Sequence, residues 1–375
     1  KPNLMMKYYK NFRISDDENY RMGYINNAPN PKLRWEKTRD VKVALDFGLW
    51  KDRINGIVEA YWRKSKDCVT SEYVPVTTGF FNQSYNTSVL QNNGVEFSLS
   101  VAVLKSKDYN LSVSANVAWN QNKLKKYNSP NTSLALDKYV GYPMGAVFSG
   151  KYEGIDPETG MYKFKLRPDA VTNKDGYLRE PNNYYYYLGT SVAPFTGGFN
   201  LNFSYKNIGL SVGGSYSVKA KMVDNIESPA GYELLSGSKL ESIPTPHNDL
   251  YRNHLNVKRE VRNRWTPENR TGVKYPRLID AYGKKLGLDL TNPTLTTITR
   301  GALLEDISYL RINTIALSYS LPQRVLERIN FSSAALNLTL NNFFTITKYS
   351  GIDPEVPGAT YPVSRSVTIG LNVGF

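Results

Sequence analysis

The chain has 375 residues, a net charge of +14, a hydrophobic fraction of 41% and a mean hydropathy of −0.45. These values exclude a bundle of membrane-spanning helices, because no segment approaches the run of about 18 apolar residues that a helical span needs. They leave open a membrane β-barrel, whose strands alternate apolar and polar residues and therefore average to a low hydropathy.

The first predicted strands form two pairs. Segments 41–49 and 53–64 place apolar side chains on one face and charged or amide side chains on the other, around a short turn at Lys51-Asp52. Segments 95–103 and 111–119 repeat the pattern around the turn 105–110. Because successive side chains of a strand point to opposite faces, each segment predicts a strand with one apolar face.

The later strands continue this pattern. Segments 199–205 and 208–218 surround a turn of about two residues, as in a tight hairpin. In 307–320 the apolar phase slips, which predicts a β-bulge near Asn313-Thr314. Segment 336–346 is predicted as the return strand. The last stretch, SRSVTIGLNVGF together with the preceding Val363, alternates up to Phe375 with Arg365 as the one break.

The connections between these strands alternate between short and long. Short turns are predicted at about 50, 106, 206 and 325, and long loops at roughly 1–37, 65–92, 123–194, 221–304 and 347–362. Outer-membrane barrels place short turns on the periplasmic side and long loops outside, with aromatic girdles at both interfaces. Aromatic residues end several of the apolar faces here: Trp62, Trp119, Tyr216, Phe344 and Phe375. The pattern predicts an all-β, transmembrane antiparallel β-barrel.

About nine strands are predicted, which is an odd number, whereas single-chain bacterial barrels have an even number of strands. An open strand edge in lipid would leave backbone groups without hydrogen bonds. We therefore expect the chain to be part of a larger barrel, completed by an upstream segment or another polypeptide. The opening KPNLMMKYYKNF shows no signal peptide, so Lys1 is not expected to be the biological start.

Residues that could carry chemistry are few. Cys68 is the one cysteine, and the two histidines, His247 and His254, lie in a predicted loop. The segment GLSVG (209–213) matches the nucleophile-elbow pattern, but Ser211 is predicted in mid-strand and not at the strand-to-helix turn that this motif requires. We therefore predict no catalytic residue, no cofactor and no enzyme activity.

The sequence GIDPE occurs at 154–158 and again at 351–355. Asp-Pro next to glycine is typical of a rigid turn. The paired carboxylates also allow a cation site, through Asp156 and Glu158 or through Asp353 and Glu355. We predict a rigid turn at both copies and no metal site.

Basic and aromatic residues mark the long loops. Segment 251–277 is rich in Lys and Arg, which fits either a solvated loop or contact with an anionic surface such as lipopolysaccharide phosphates. No nucleic-acid recognition motif accompanies it. Aromatic rings in the loops could stack on sugars, contact peptide or a partner protein, or pack within the loops. The candidates are Tyr184, Tyr185, Tyr186, Tyr187 and Trp265.

An ordered set of segments resembles one family, the SusC/RagA-type TonB-dependent outer-membrane transporters of Bacteroidetes. The segments are NPKLRWEKTRDVKVALDFGLWKDRI, NNGVEFSLS, YEGIDPETGMYKF, NRWTPEN, SYLRINTIALSYSLP, NLTLNNFFTITKYSGIDPEVPG and SRSVTIGLNVGF. The resemblance is to the C-terminal half of these proteins and covers nearly the whole chain.

The resemblance implies a plugged barrel of about 22 strands in the cell outer membrane. The plug and the TonB contact would lie in the missing N-terminal part, and a SusD-like surface lipoprotein would cap the barrel as a lid. The transporter would import oligosaccharides or oligopeptides with energy from TonB. The loop tyrosines and Trp265 would contact ligand or lid, and Phe375 fits a C-terminal aromatic signal for barrel assembly.

Two alternatives stay open at this point. One is a siderophore or cobalamin receptor with the same barrel architecture. The other, from a different class, is a surface β-sandwich adhesin that binds glycans. The substrate itself is not determined, although the basic loops lean toward an anionic peptide or an acidic glycan.

Overall fold

The computed structural model describes residues 12–14, 23–25, 28–127, 139–158, 160, 162–170, 184–223, 262–274, 300–357 and 361–375. The chain divides into two compact units. The first contains 1–103 and 114–144, and the second contains 104–113 and 145–375. The described residues are nearly all in strands and loops, and none of their helices is long and apolar enough to span a membrane. The predicted all-β class is confirmed.

The first unit is built on long antiparallel strands. Its strands are β1 (Phe12–Ile14), β2 (Gly23–Ile25), β3 (Lys37–Leu49), β4 (Ile54–Tyr73), β5 (Asn82–Lys105) and β6 (Tyr109–Tyr127). The neighbour order is β3-β4-β5-β6. A strand crosses a bilayer with about 9–11 residues, so β4 and β5, with 20 and 24 residues, extend well beyond it.

The predicted loop 65–92 is therefore mostly strand. Only 74–81, with a 3₁₀ turn at Val76–Thr78, separates β4 from β5. The alternation of apolar residues fades outside the membrane, because both faces are then in water, while the backbone ladder continues. The alternation of apolar and polar residues therefore did not predict the length of the strands in the segment 65–92.

The second unit contains five long strands and several short ones. The strands are β7 (Ala146–Gly150), β8 (Tyr152–Ile155), β9 (Tyr162–Phe164), β10 (Tyr185–Thr190), β11 (Phe195–Tyr205), β12 (Ile208–Val218), β13 (Lys221–Val223), β14 (Leu304–Asp306), β15 (Tyr309–Ser320), β16 (Ser333–Thr347) and β17 (Ser366–Gly374). The long strands are ordered β11-β12-β15-β16-β17, and the short pairs are β7·β10, β8·β9 and β13·β14.

The predicted β-bulge is confirmed. The register between β15 and β16 shifts between Ile312 and Thr314, and the register between β12 and β15 shifts at Gly213/Gly214. One extra residue in a strand moves its apolar side chains to the other phase, and this is the slip seen in the sequence.

The apolar faces of the long strands are not covered by protein. Val43, Ile369 and Leu371 are 70%, 72% and 67% exposed, whereas only ten hydrophobic side chains of the described residues are buried. Water-soluble proteins rarely leave large contiguous apolar surfaces exposed. These faces are therefore suited to contact with lipid.

The turns at one end of the strands are short, as predicted, with one exception. The connections 50–53, 106–108 and 206–207 have two to four residues. The connection expected near 325 is longer, 321–332, and contains helix α1 (Gln323–Arg328). Trp50, Lys51 and Asp52 all have left-handed backbone angles, with φ of 54°, 57° and 61°.

Candidate functional site

A buried arginine clamps the last long loop to the sheet. Arg311 of β15 is 3% exposed. Its Nη2 donates to Asp353 Oδ1 at 2.5 Å and its Nη1 donates to Glu355 Oε2 at 2.7 Å. Its Nε also donates to Thr345 Oγ1 of β16 at 3.1 Å. We call Arg311, Asp353 and Glu355 the Arg311 clamp.

The Asp353 carboxylate is held by backbone groups as well. Its Oδ1 accepts the Glu355 N–H at 3.0 Å, and its Oδ2 accepts the Val363 N–H at 3.1 Å. Burial of Asp353 raises its pKa, but these two N–H groups and the Arg311 guanidinium outweigh burial and leave the pKa lowered. The second GIDPE copy is thus a turn whose carboxylates are already neutralised.

The clamp draws the loop over the polar face of the sheet. Leu310, the neighbour of Arg311, is on the exposed apolar face, so Arg311 points to the opposite side. The described residues contain no group of three or more His, Cys, Asp or Glu that could hold a metal ion. At Asp353 and Glu355, the arginine occupies the place that a cation would take.

The first GIDPE copy anchors a different loop segment. Asp156 Oδ1 accepts the Glu158 N–H at 2.9 Å and its backbone oxygen accepts the Gly160 N–H at 2.8 Å, which closes a turn. Trp265 of NRWTPEN then donates from its indole Nε1 to Pro157 O at 2.9 Å. The two copies of the repeated motif therefore serve the same purpose, which is to fix outer loops.

The predicted aromatic residues differ in accessibility. Trp265 is 7% exposed, whereas Tyr187 is 41% exposed and lies 5.7 Å from the Phe148 ring. Tyr185, Tyr186 and Tyr187 belong to β10, and Tyr186 Oη donates to Leu166 O at 3.1 Å. Tyr184 is half-buried at the start of this strand. Tyr187 offers the most ring surface, and contact with ligand or lid stays a prediction for all five.

The polar face of the first unit carries a ladder of charges. Asp40 and Lys42 of β3 pair with Arg63 and Glu59 of β4, each at 2.6 Å. Glu59 stands directly opposite Glu96 of β5 in the register. Glu96 has no ion-pair partner among the described residues, so this face has an excess negative charge. The sequence placed these residues on one face without indicating how they pair.

The polar face of the second unit contains, away from the Arg311 clamp, a neutral region. A cavity of about 290 Å³ opens on it, and no charged side chain is among its lining residues. Ser211 of the elbow-like GLSVG lies here in the middle of β12, and its Oγ donates to Asn202 Oδ1 at 2.8 Å. His247 and His254 lie outside the described residues. The local geometry is that of a strand, which agrees with the sequence-based rejection of a nucleophile elbow.

Phe375 ends the described chain next to another aromatic ring. It is 92% exposed, and its ring meets Phe331 edge-on with 5.2 Å between centroids. Ser332 N–H donates to the Gly374 oxygen at 2.9 Å, so the segment after α1 is tied to the end of β17. A role of Phe375 in barrel assembly stays a prediction.

Comparison with known proteins agrees with this geometry. No family model matches the chain. TonB-dependent receptor P26 of Formosa agariphila is 25% identical over 386 residues, covering 94% of this chain. TonB-dependent receptor SusC of Bacteroides thetaiotaomicron is 25% identical over 373 residues, covering 93%. A structure of the RagAB peptide transporter matches 98% of the chain with a TM-score of 0.73 and 26% identity. The 'closed-closed' RagAB peptide importer matches with a TM-score of 0.74 and 25% identity.

The chain is homologous to SusC- and RagA-type TonB-dependent receptors. It spans only 36% and 33% of the two receptors and 38% of the RagAB chain. The chain therefore corresponds to about a third of these larger proteins, which agrees with the prediction from its number of strands.

This homology confirms further predictions. The relatives that the chain matches are named as TonB-dependent receptors and as a peptide transporter, which agrees with the predicted class of outer-membrane transport proteins. The exposed apolar faces argue against the alternative of a surface β-sandwich adhesin, whose sheets would bury such faces in a core. The basic loop 251–277 is described only at 262–274, where Arg262 and Arg270 are exposed.

Proposed function

We propose that the chain forms the C-terminal barrel wall and outer loops of a transporter that imports oligosaccharides or oligopeptides across the outer membrane. The observation that carries the proposal is the two-sided sheet. One side exposes large apolar residues such as Ile369, and the other side holds a structured loop through the buried Arg311. A soluble sheet would cover its apolar side. A barrel that served only as a structural wall would not need a loop anchored on its polar side.

The residues of this chain act by binding and guiding, with no covalent step. The neutral cavity presents hydroxyl and amide groups, including those of Asn202, Ser211 and Asn337. Such groups exchange hydrogen bonds with sugar hydroxyls and with peptide amides alike. Both substrate classes remain in the proposal, and among the relatives RagAB is a peptide transporter.

A plug domain from the rest of the protein would dock on the charged polar face. Lys42 pairs with Glu59, while Glu96, directly across from Glu59, makes no ion pair with a described residue. A basic plug residue placed there would relieve the repulsion between two carboxylates on neighbouring strands. Energy from TonB would act through the plug, so these contacts would resist its movement until force is applied.

A SusD-like lipoprotein would close the outer side as a lid. The anchored outer loops give it a firm surface, with Trp265 as an internal anchor and Tyr187 as an exposed ring. Preorganised loops bind a partner at a lower entropic cost than loose ones. Lipopolysaccharide remains a second proposed neighbour of the basic outer residues. A siderophore or cobalamin cargo has no specific observation in its favour.

The test is isolation of the complete protein from its native membrane. We expect that it needs detergent, migrates differently on a gel before and after heating, and carries a lipoprotein and an oligomeric cargo detectable by mass spectrometry. Extraction into buffer without detergent would contradict the barrel. Purification with a chelated metal or cobalamin and no oligomer would contradict the proposed cargo.

A further inference from the structure

Positive charge recurs at the short-turn end of the strands. Counted together with Lys105, the last residue of β5, the four connections 50–53, 106–108, 206–207 and 321–332 hold seven Lys or Arg and three Asp or Glu, and each of the four groups has a net charge of +1. Their lengths and turn geometries differ, so turn formation itself does not require this charge. The recurrence of positive charge indicates that these turns contact a negatively charged partner.

In the second unit, three of these turns are tied side by side by hydrogen bonds. Lys206 N–H donates to Asp108 O at 2.7 Å, and Ser320 N–H donates to Asn207 O at 2.9 Å. The Asn207 side chain returns a bond from Nδ2 to Ser320 O at 2.8 Å. The connections 106–108, 206–207 and 321–332 therefore form one continuous edge.

This edge presents cations without partners of opposite charge. Lys107, Lys206 and Arg324 come from the three successive turns, and all three are exposed. None of them makes an ion pair with a described residue. Lys206 instead lies over the Tyr205 ring, with its Nζ 5.3 Å from the centroid.

Aromatic side chains lie next to these cations on the apolar face. Tyr205 and Tyr319 are 44% and 42% exposed, and both stand opposite Ile208 in the register of their strands. Tyrosine at the end of a lipid-facing strand is typical of the membrane interface, with its ring in the apolar region and its hydroxyl in the headgroup region. Lys206 directly follows Tyr205, and Arg324 follows Tyr319 by five residues, so these cations lie just beyond the tyrosine row, at headgroup depth.

We propose that Lys107, Lys206 and Arg324 form a binding site for anionic phospholipid headgroups of the periplasmic leaflet. The proposal rests on the barrel orientation of the proposed function, in which short turns face the periplasm. The site combines the two features that such recognition needs, an apolar face that inserts and a basic row just beyond it. A site for soluble phosphate or for an acidic protein would not require the tyrosine row.

The experiment uses the complete transporter in nanodiscs of phosphatidylethanolamine with one fifth phosphatidylglycerol. Native mass spectrometry then counts the phosphatidylglycerol molecules that stay bound after release from the disc. The test variant is Lys107→Gln/Lys206→Gln/Arg324→Gln. The matched control is Lys163→Gln/Lys165→Gln/Lys348→Gln, which removes three exposed charges from the long-loop end of the same unit.

We expect phosphatidylglycerol retention to fall about tenfold or more in the test variant and to stay unchanged in the control, since each basic residue near the surface favours anionic lipid. Equal retention in both variants would overturn the proposal. Displacement of the lipid from the wild-type protein by sodium phosphate would also overturn it, because the site would then bind soluble phosphate. So would a test variant that loses a bound acidic periplasmic protein while its lipid retention is unaltered. Failure of the wild-type protein to enter nanodiscs at all would instead contradict the proposed function.

Discussion

Arg311 and Asp353 are 42 residues apart in sequence and form an ion pair at 2.5 Å in which neither side chain is more than 5% exposed. The pair joins a strand to the loop that follows the next strand. A buried pair of this kind is costly to break, because the remaining charge stays without a partner in a dry environment. It is thus a strong constraint on the loop between β16 and β17.

Replacing Arg311 by Ala should release this loop. Loss of one partner of a buried pair costs about 3–5 kcal/mol, and here the loop can leave the sheet to rehydrate Asp353. We expect the segment 348–365 to become sensitive to protease in the intact transporter. Arg167→Ala is the matched control, because its pair with Asp169 is exposed to solvent and such pairs contribute little to stability. Equal protease sensitivity in both variants would show that the clamp does not hold the loop.

The clamp should also respond to acid in a defined direction. The pKa of Asp353 is lowered in the folded protein, so its contribution to stability is present above its unfolded pKa of about 3.9. This contribution is lost as the pH falls through the lower, folded pKa. We expect the loop to stay protected from pH 8 down to about pH 4 and to open below that value. Hydrogen exchange of the Val363 amide measures this, and opening already near pH 6 would contradict the assignment.

Trp265 tests the anchor at the first GIDPE copy. Trp265→Phe keeps most of the ring packing and removes the hydrogen bond to Pro157, for a cost of about 1 kcal/mol. Trp265→Ala also leaves a cavity, and such truncations cost about 3–5 kcal/mol. Protease accessibility of residues 262–274 should therefore rise a little in the first variant and strongly in the second. Similar effects of both would show that the indole N–H, and not the packing, fixes the segment.

The carboxylates Glu59 and Glu96 test the proposed plug contact. Glu96→Lys places a cation where a basic plug residue is expected, so the plug should be held less firmly. We expect cells that express the variant to become sensitive to large antibiotics that the intact outer membrane excludes. Glu36→Lys makes the same charge change on the same unit, outside this pair, and should have no such effect. If cells that express Glu96→Lys stay resistant to these antibiotics, the result would contradict docking of the plug at this position.

Gly214 tests the close approach at the β-bulge. A Cβ there would lie 2.4 Å from the Phe199 ring and 2.6 Å from the Arg311 backbone oxygen. Gly370 offers a matched control, because its nearest atom would be 4.0 Å away. We expect Gly214→Ala to destabilise the barrel by about 1–3 kcal/mol through overpacking. Gly370→Ala should stay within about 0.5 kcal/mol of the wild type. Heat-modifiable gel migration at rising temperature measures both.

Two-residue alternation was enough to predict the strands, their apolar faces and even the bulge at Asn313, because each of these follows from side-chain direction along one strand. The alternation of short and long connections gave the membrane architecture for a similar reason. The length of β4 and β5 was missed, since hydrogen-bonded ladders outside lipid need no apolar pattern.

Tertiary structure alone decided what the loops do. The two GIDPE copies read as isolated turns, and nothing near them in sequence indicates that Arg311 would neutralise one or that Trp265 would dock on the other. Such contacts join residues separated by 42 and 108 positions, and they form only once the strands have set the distances between loop ends. The two-sided wall could be predicted from the sequence, because alternation is a local property. The fold decided how that wall holds its loops, because pairing of distant charges depends on where the strands bring them.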